Sequence, residues 1–222
     1  MISLSLWNTR RAAEDALKGG LKPFADLLDE TFSVLDICID RLEKLNLPFG
    51  RVCALVVIKA RNLGLGCYSL TLDGLAQEAG ALFRPFLECL ELLTYFRLDP
   101  TRINEALEGR LPQAGLIAQR IEGKFKALRD YLNAHASHLS IRPESMAHLV
   151  DIRTSRLRPV QLHNDSILRG NLTTLLGVLI WIAIEAVNCT TLIGGITDDV
   201  IAETMEDIRR RTFVLVDEPI IK

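Results

Sequence analysis

The chain has almost no net charge. Its 222 residues carry 26 Lys and Arg against 28 Asp and Glu, which gives a formal net charge of −2. Proteins that bind nucleic acid through bulk charge have a clear excess of basic residues, so any polynucleotide contact here must use a local patch. The sequence also lacks a glycine-rich phosphate loop after a predicted strand and contains no GxSxG motif. These absences argue against an NTPase and against a hydrolase with that nucleophile motif.

Cysteine is sparse, odd in number and never spaced as CxxC. This pattern predicts buried thiols in a reducing compartment rather than a disulfide framework or a thiolate zinc site. The first residues, MISLSLWNTRRAAED, lack the long apolar stretch of a signal peptide. We therefore expect a cytoplasmic protein. The five cysteines are Cys38, Cys53, Cys67, Cys89 and Cys189.

Long hydrophobic runs are limited to one segment, Leu172–Cys189. Its uninterrupted apolar part, Leu175–Ile184, is shorter than the roughly 20 residues that a bilayer requires. Glu185 and Asn188 follow where a membrane span would still need apolar side chains. The segment therefore predicts a central core helix, apolar nearly all round, and no membrane partner.

Helical periodicity dominates the sequence, and 49% of its residues are hydrophobic. These features predict a single all-α domain over residues 1–222, a multi-helix bundle with an N-terminal arm or short helix over 1–20 and a tail over 212–222. A small β-hairpin is expected between about 146 and 163. Pro85 is expected to kink the third helix. The predicted helices cover about 23–45, 51–72, 76–98, 99–109, 112–136, 165–193 and 199–211.

The stretch LRDYLNAHASHLS, residues 128–140, concentrates polar side chains at the end of a predicted helix. Arg129 and Asn133 share one helix face, and His135 and His138 share one if the helix continues. Histidine transfers a proton near neutral pH, and arginine binds phosphate. Together they could cleave RNA without a metal, the histidine taking the 2′-hydroxyl proton and the arginine stabilising charge on the phosphorus. The alternative is a solvated helix end with a cation near its C-terminus.

The spacing of Arg129 and His135 resembles the R-x(4–6)-H motif of HEPN domains, helical bundles that include RNases of toxin and defence systems. A polar residue commonly follows the arginine in that family, and Asp130 fits. The resemblance implies a homodimer with a composite site, RNA as a candidate ligand and no cofactor. Roughly one such spacing is expected by chance in this composition, so the helical context selects this pair. The candidate catalytic set is Arg129, His135, His138, Asp130 and Asn133.

A second resemblance covers Ala60–Pro100. This segment is similar to a group of bacterial helical proteins with R-x-x-x-E in one helix and a Ser/His-rich stretch, like YxxLSxxxH, at the end of a later helix. Arg84 and Glu88 match the first motif at the i,i+4 spacing of an ion pair. The chain departs from the second motif because His135 stands where the serine is expected. The resemblance implies a supporting polar network of Arg84, Glu88 and Tyr131, with His135 or His138 as its histidine.

Two other functions fit the same residues. The first is a non-catalytic dimeric interaction or sensing module, in which the arginine, the glutamate and the histidines form a structural network. The second is a metal-binding bundle, because all four histidines of the chain fall within 29 residues. No HxxxH or ExxH stands in a predicted helix. The four histidines are His135, His138, His148 and His163.

Overall fold

The protein is an all-α multi-helix bundle, as the periodicity predicts. The computed structural model describes residues 6–135, 150–151, 154, 156–157, 162–194 and 199–216, and these form nine α-helices, one 3₁₀ turn and one pair of short strands. The helices are α1 Leu6–Lys18, α2 Lys22–Lys44, α3 Pro48–Leu72, α4 Ala76–Leu98, α5 Ile103–Leu107, α6 Ala114–Arg120, α7 Lys126–His135, α8 Asp165–Gly194 and α9 Asp199–Val216. The 3₁₀ turn is Pro100–Arg102, and the antiparallel strands β1 Val150–Asp151 and β2 Arg156–Leu157 form the small hairpin.

The core lies between α2, α3, α4 and α8, each of which packs against at least two of the others. Four leucines of α8 are fully buried, as expected for a helix that is apolar nearly all round. By length and composition alone, α3 and α8 could each cross a membrane. The most apolar 18-residue window of α8 is 61% buried, which fits the predicted core helix, whereas that of α3 is only 39% buried. The four buried leucines are Leu172, Leu175, Leu176 and Leu179.

Helix boundaries follow the turn and capping signals of the sequence at most positions. Asp99 caps the 3₁₀ turn, since its side chain accepts a hydrogen bond from the Thr101 N–H at 3.1 Å. Asn164 caps α8, since its Oδ1 accepts a hydrogen bond from the Ile167 N–H at 3.0 Å. Helix α4 continues through Pro85 over the whole predicted span.

The predicted single helix over 112–136 is wrong, because the chain forms two helices there. Glu122 and Gly123 have φ angles of 61° and 64°, which an α-helix does not accommodate. The Gly123 N–H donates to the Ala118 carbonyl oxygen at 2.9 Å, a bond that closes the end of α6. Arg129 therefore lies in the first turn of the short helix α7 rather than late in a long helix.

Gly50 lies where α3 passes the end of α2. A Cβ at this position would come within 2.4 Å of the Leu42 carbonyl oxygen, a backbone atom that cannot move aside as a flexible side chain would. We expect Gly50→Ala to lower the free energy of unfolding by about 1–3 kcal/mol, measured by urea denaturation. Gly170→Ala in α8 is the matched control, because nothing lies within 4 Å of the added methyl group. It should stabilise the helix by about 0.5–1 kcal/mol, and an equal effect of both variants would contradict the close approach.

All five cysteines are buried, as the sequence predicts. Burial raises the pKa of the Cys38 and Cys67 thiols to about 12 and that of Cys89 to about 11. These thiols are therefore protonated at neutral pH, and the thiolate is the reactive form. We expect the native protein to react with a chromogenic disulfide reagent only on the timescale of unfolding, and all five thiols to react at once in guanidinium chloride. A thiol that is modified rapidly in the native protein would contradict this expectation.

Candidate functional site

A stripe of charged side chains runs along the face of α4 that packs against α7. Arg84, Glu88 and Glu91 occupy positions i, i+4 and i+7, so they lie within about 60° of one another around the helix. Helix α7 places Arg129 and Asn133 opposite this stripe, again at i,i+4. The two helices therefore enclose one polar cluster, which we call the α4–α7 network and define as these five residues.

Arg129 is the largely buried centre of the α4–α7 network. Its side chain is 11% exposed, and its guanidinium forms a bidentate ion pair with Glu91. In that pair, Arg129 Nε donates to Glu91 Oε1 at 3.1 Å and Nη2 donates to Oε2. A third nitrogen, Nη1, lies 3.8 Å from Glu88 Oε1. Arg129 thus contacts two carboxylates, and Glu91 is only 1% exposed.

Arg84 lies at the rim of the network. Its Nε donates to Glu88 Oε1 at 3.3 Å, and its Nη1 donates to the side-chain oxygen of Asn133. The side chains of Arg84 and Glu88 are 36% and 33% exposed. The predicted ion pair is therefore present and only partly buried, and it links α4 to α7 through Asn133.

The network balances its charges, with two guanidinium groups facing two carboxylates. The hydrogen bonds with Glu91 raise the pKa of Arg129, which therefore stays protonated at any physiological pH. Burial raises the pKa of Glu91, and the adjacent Arg129 opposes that rise. Glu91 can remain ionised at this depth because the guanidinium provides two charge-assisted hydrogen bonds.

The network brings together four of the eight predicted site residues, Arg84, Glu88, Arg129 and Asn133. Two others, Asp130 and Tyr131, lie elsewhere on α7. Asp130 pairs with Lys126, and the side chains of this ion pair are exposed. Tyr131 is 59% exposed. His135 is the last residue of α7, and its side chain lies outside the described part of the structure, as does the whole of His138.

Glu91 is the functional-site residue that the sequence analysis missed. Two signals in the sequence point to it. It is an acidic residue within the apolar segment LECLELLTYF, and it continues the spacing of Arg84 and Glu88. Its partner on α7 has no such signal, because Arg129 is 38 residues away and only the packing of the two helices brings them into contact.

Two further polar clusters extend this pattern along α4. The buried Tyr95 hydroxyl donates to Glu105 Oε2 at 2.8 Å and accepts from Arg120 Nη1 at 2.6 Å. Glu185 of α8 is 1% exposed and accepts hydrogen bonds from both Arg97 and Lys124. Arg97 Nη2 and Lys124 Nζ each lie 3.3 Å from Glu185 Oε1. Contacts between buried polar groups of α4 or α8 and the segment from α5 to α7 are thus a repeated feature of this side of the bundle.

Neither the metal hypothesis nor a local basic patch for polynucleotide contact gains support from the described residues. They contain no group of three His, Cys, Asp or Glu side chains arranged to hold a metal ion. His163 is the histidine whose side chain is described, and its Nε2 lies 2.6 Å from Asp165 Oδ1. The arginines of the basic run at the end of α9 each pair with an acidic side chain. These pairs are Arg209 with Glu206, Arg210 with Asp207, and Arg211 with Glu30 and Asp207.

Comparison with known proteins returned no relative of this chain. No protein-family model matches it, and neither does any curated protein or solved structure. The resemblance to HEPN domains therefore stays a prediction from motif spacing.

Proposed function

We propose that the protein is a non-catalytic helical interaction module, in which the α4–α7 network fixes the position of α7 on the bundle. The observation that carries this proposal is the bidentate ion pair of the largely buried Arg129 with the buried Glu91. An arginine that binds substrate phosphate needs nitrogen atoms that are open to solvent or to the ligand. In this site two of the guanidinium nitrogens are bonded to Glu91, and the third faces Glu88.

The charge balance also disfavours phosphate binding in this cluster. A phosphate that approached Arg129 would meet the two carboxylates that already surround it, and like charges at close range repel. Freeing Arg129 would leave Glu91 buried without a partner, which costs about 3–5 kcal/mol in comparable buried ion pairs. The free energy of substrate binding would have to offset this cost. A structural role carries no such cost.

A HEPN-like, metal-independent endoribonuclease is the second candidate. It is favoured by the contact between the two motif-bearing helices. Helix α4, which carries R-x-x-x-E, packs against α7, which carries R-x(5)-H from Arg129 to His135. In that case the half-exposed Arg84 is the arginine that solvent can reach, and His135 at the end of α7 is the candidate proton acceptor. This function requires the network to rearrange when RNA binds.

RNA cleavage in the presence of EDTA separates the two functions. The wild type is compared with His135→Ala and with the paired variant Arg129→Met/Glu91→Leu, which removes the ion pair without leaving one charge buried. As an interaction module, the wild type should cleave structured and single-stranded RNA no faster than a buffer control. Cleavage that the wild type performs and both variants lose, while they remain folded, would overturn the proposal in favour of the endoribonuclease.

A further inference from the structure

The outer face of the α2–α3 pair is an apolar surface without a covering element in the described structure. A groove of about 600 Å³ lies between the two helices, with Ile39, Leu55 and Ile58 on its walls. Leu55 is 65% exposed and Ile58 is 38% exposed. Helix α3 is one of the two most apolar helices described, yet less than half of its most apolar window is buried. Such a surface is typical of a protein–protein interface.

Charges of opposite sign lie on the two walls of this groove. Helix α3 contains three basic residues and no acidic residue. On α2, Asp36 and Asp40 pair within the chain, with Arg61 and Lys44, which leaves Glu43 as the acidic group of the groove. Glu43 and Arg51 both line the groove at the end where the two helices are joined. Neither forms an ion pair within the described part of the chain; Arg51 donates instead to Asn46 Oδ1 at 2.6 Å. The three basic residues of α3 are Arg51, Lys59 and Arg61.

We infer that a second copy of the chain covers this groove, and that the two copies are related by a two-fold axis running along it. The axis places α2 of one copy over α3 of the other. Because a short turn joins the two helices, Glu43 and Arg51 lie at the same end of the groove, and each meets its opposite charge in the second copy. The apolar wall residue Ile39 then packs on Leu55 and Ile58. The surface is self-complementary, as a two-fold interface requires.

The two helices that border the groove are long enough to carry a dimer interface. Helices of 23 and 25 residues are each roughly 35 Å long, and two adjacent helices are about 20 Å wide. Their product, roughly 700 Å², is an upper limit, because α1 and α9 also pack against α2. It lies in the range of standard protein–protein interfaces, about 600–1,000 Å² per partner. A membrane surface is a poorer fit. The basic residues of α3 are balanced by acidic side chains on α2, so the face has no excess of positive charge for anionic lipid headgroups.

This interface goes beyond the proposed function and does not depend on it. Helix α7 packs on α4 and contributes no residue to the groove. The dimer is therefore not formed by pairing two copies of the α4–α7 network, and it holds whether that network is structural or catalytic.

Sedimentation velocity of the full chain at micromolar concentration tests the inference. The wild type should sediment with twice the mass of one chain. Leu55→Glu should sediment as a monomer, because it places a charge at the centre of the apolar contact. Leu157→Glu on β2 is the matched control: the leucine is 80% exposed, β2 pairs with β1, and neither strand lines the groove, so this variant should stay dimeric. A monomeric wild type, or a dimeric Leu55→Glu variant with native circular dichroism, would overturn the inference.

A charge-reversal experiment tests whether Glu43 of one copy pairs with Arg51 of the other. Glu43→Arg and Arg51→Glu should each weaken self-association at least tenfold, because each creates two like-charge contacts across the two-fold axis. Mixed together, the two variants should form a one-to-one heterodimer, in which every contact joins opposite charges. If the mixture stays monomeric, the proposed pairing is wrong. A wild-type monomer that co-sediments with vesicles of phosphatidylcholine and phosphatidylglycerol would instead assign the face to a membrane.

Discussion

Replacing Arg129 with alanine should lower the free energy of unfolding by about 3–5 kcal/mol, measured by urea denaturation at neutral pH. The large effect arises from Glu91, not from the loss of an attraction. Glu91 is 1% exposed, and its carboxylate has Arg129 as its hydrogen-bond donor. Without the guanidinium, the carboxylate must remain buried without a partner, take up a proton or expose itself by displacing α7. Each of these outcomes destabilises the native state.

Two variants separate this explanation from a general weakening of α7. Arg129→Met/Glu91→Leu replaces both charges by apolar groups of similar size and should recover most of the lost stability, as in other buried ion pairs. Lys126→Ala breaks an exposed ion pair on the same helix and should change stability little. A double variant as unstable as Arg129→Ala would mean that the side-chain packing of Arg129, rather than the unpaired carboxylate, accounts for the effect.

Phe86→Ala should destabilise the bundle by a similar amount, about 3–5 kcal/mol. Phe86 is fully buried in α4, in an edge-to-face contact with Phe83 whose ring centroids are 6.0 Å apart. Its ring also approaches α3, where a Cβ on Gly64 would lie 3.3 Å from Phe86 Cζ. Truncation removes a large apolar side chain and leaves a cavity where α3, α4 and α8 meet, so both the transfer free energy and the cavity contribute.

Gly64 provides the matching test of the cavity. Gly64→Ala brings a methyl group within 3.3–3.4 Å of Phe32, Phe86 and Leu179, all side-chain atoms that can shift slightly. In the Phe86→Ala background the same methyl group enters the cavity. The two substitutions together should therefore cost less than the sum of their separate effects, as measured by a double-mutant cycle. Strict additivity would show that the site collapses and leaves no cavity.

The sequence alone predicted the elements with strong local signals. The span of α4 was predicted to the residue because apolar periodicity continues through Pro85 and the Asp99–Pro100 turn ends it. The break between α6 and α7 was missed. Its signal, a single glycine at Gly123, is weak beside the regular apolar spacing of Ile117, Ile121 and Phe125, and these three side chains remain buried on both sides of the break.

The candidate site was predicted in part, and the partial success has a physical reason. The pairs Arg84 with Glu88 and Arg129 with Asn133 follow from helix geometry, because residues four apart share a face. Local sequence does not determine which side chains of the two helices contact each other, or how deeply they are buried. Glu91 lies among the apolar residues of α4, and no pattern within the helix indicated that an arginine 38 residues away would neutralise it.

The sequence by itself determined an all-helical protein with a polar stripe on α4 and polar residues on α7, because helix periodicity and capping are encoded within a few neighbouring residues. Only the tertiary structure decided that Arg129 is buried against Glu91 while Leu55 on α3 is exposed beside Glu43 and Arg51. Burial depends on which faces of distant helices pack together. From the sequence, Arg129 fits a phosphate-binding motif and Leu55 fits the core of an apolar helix. The packing of the helices instead places Arg129 against a buried carboxylate and Leu55 at the surface.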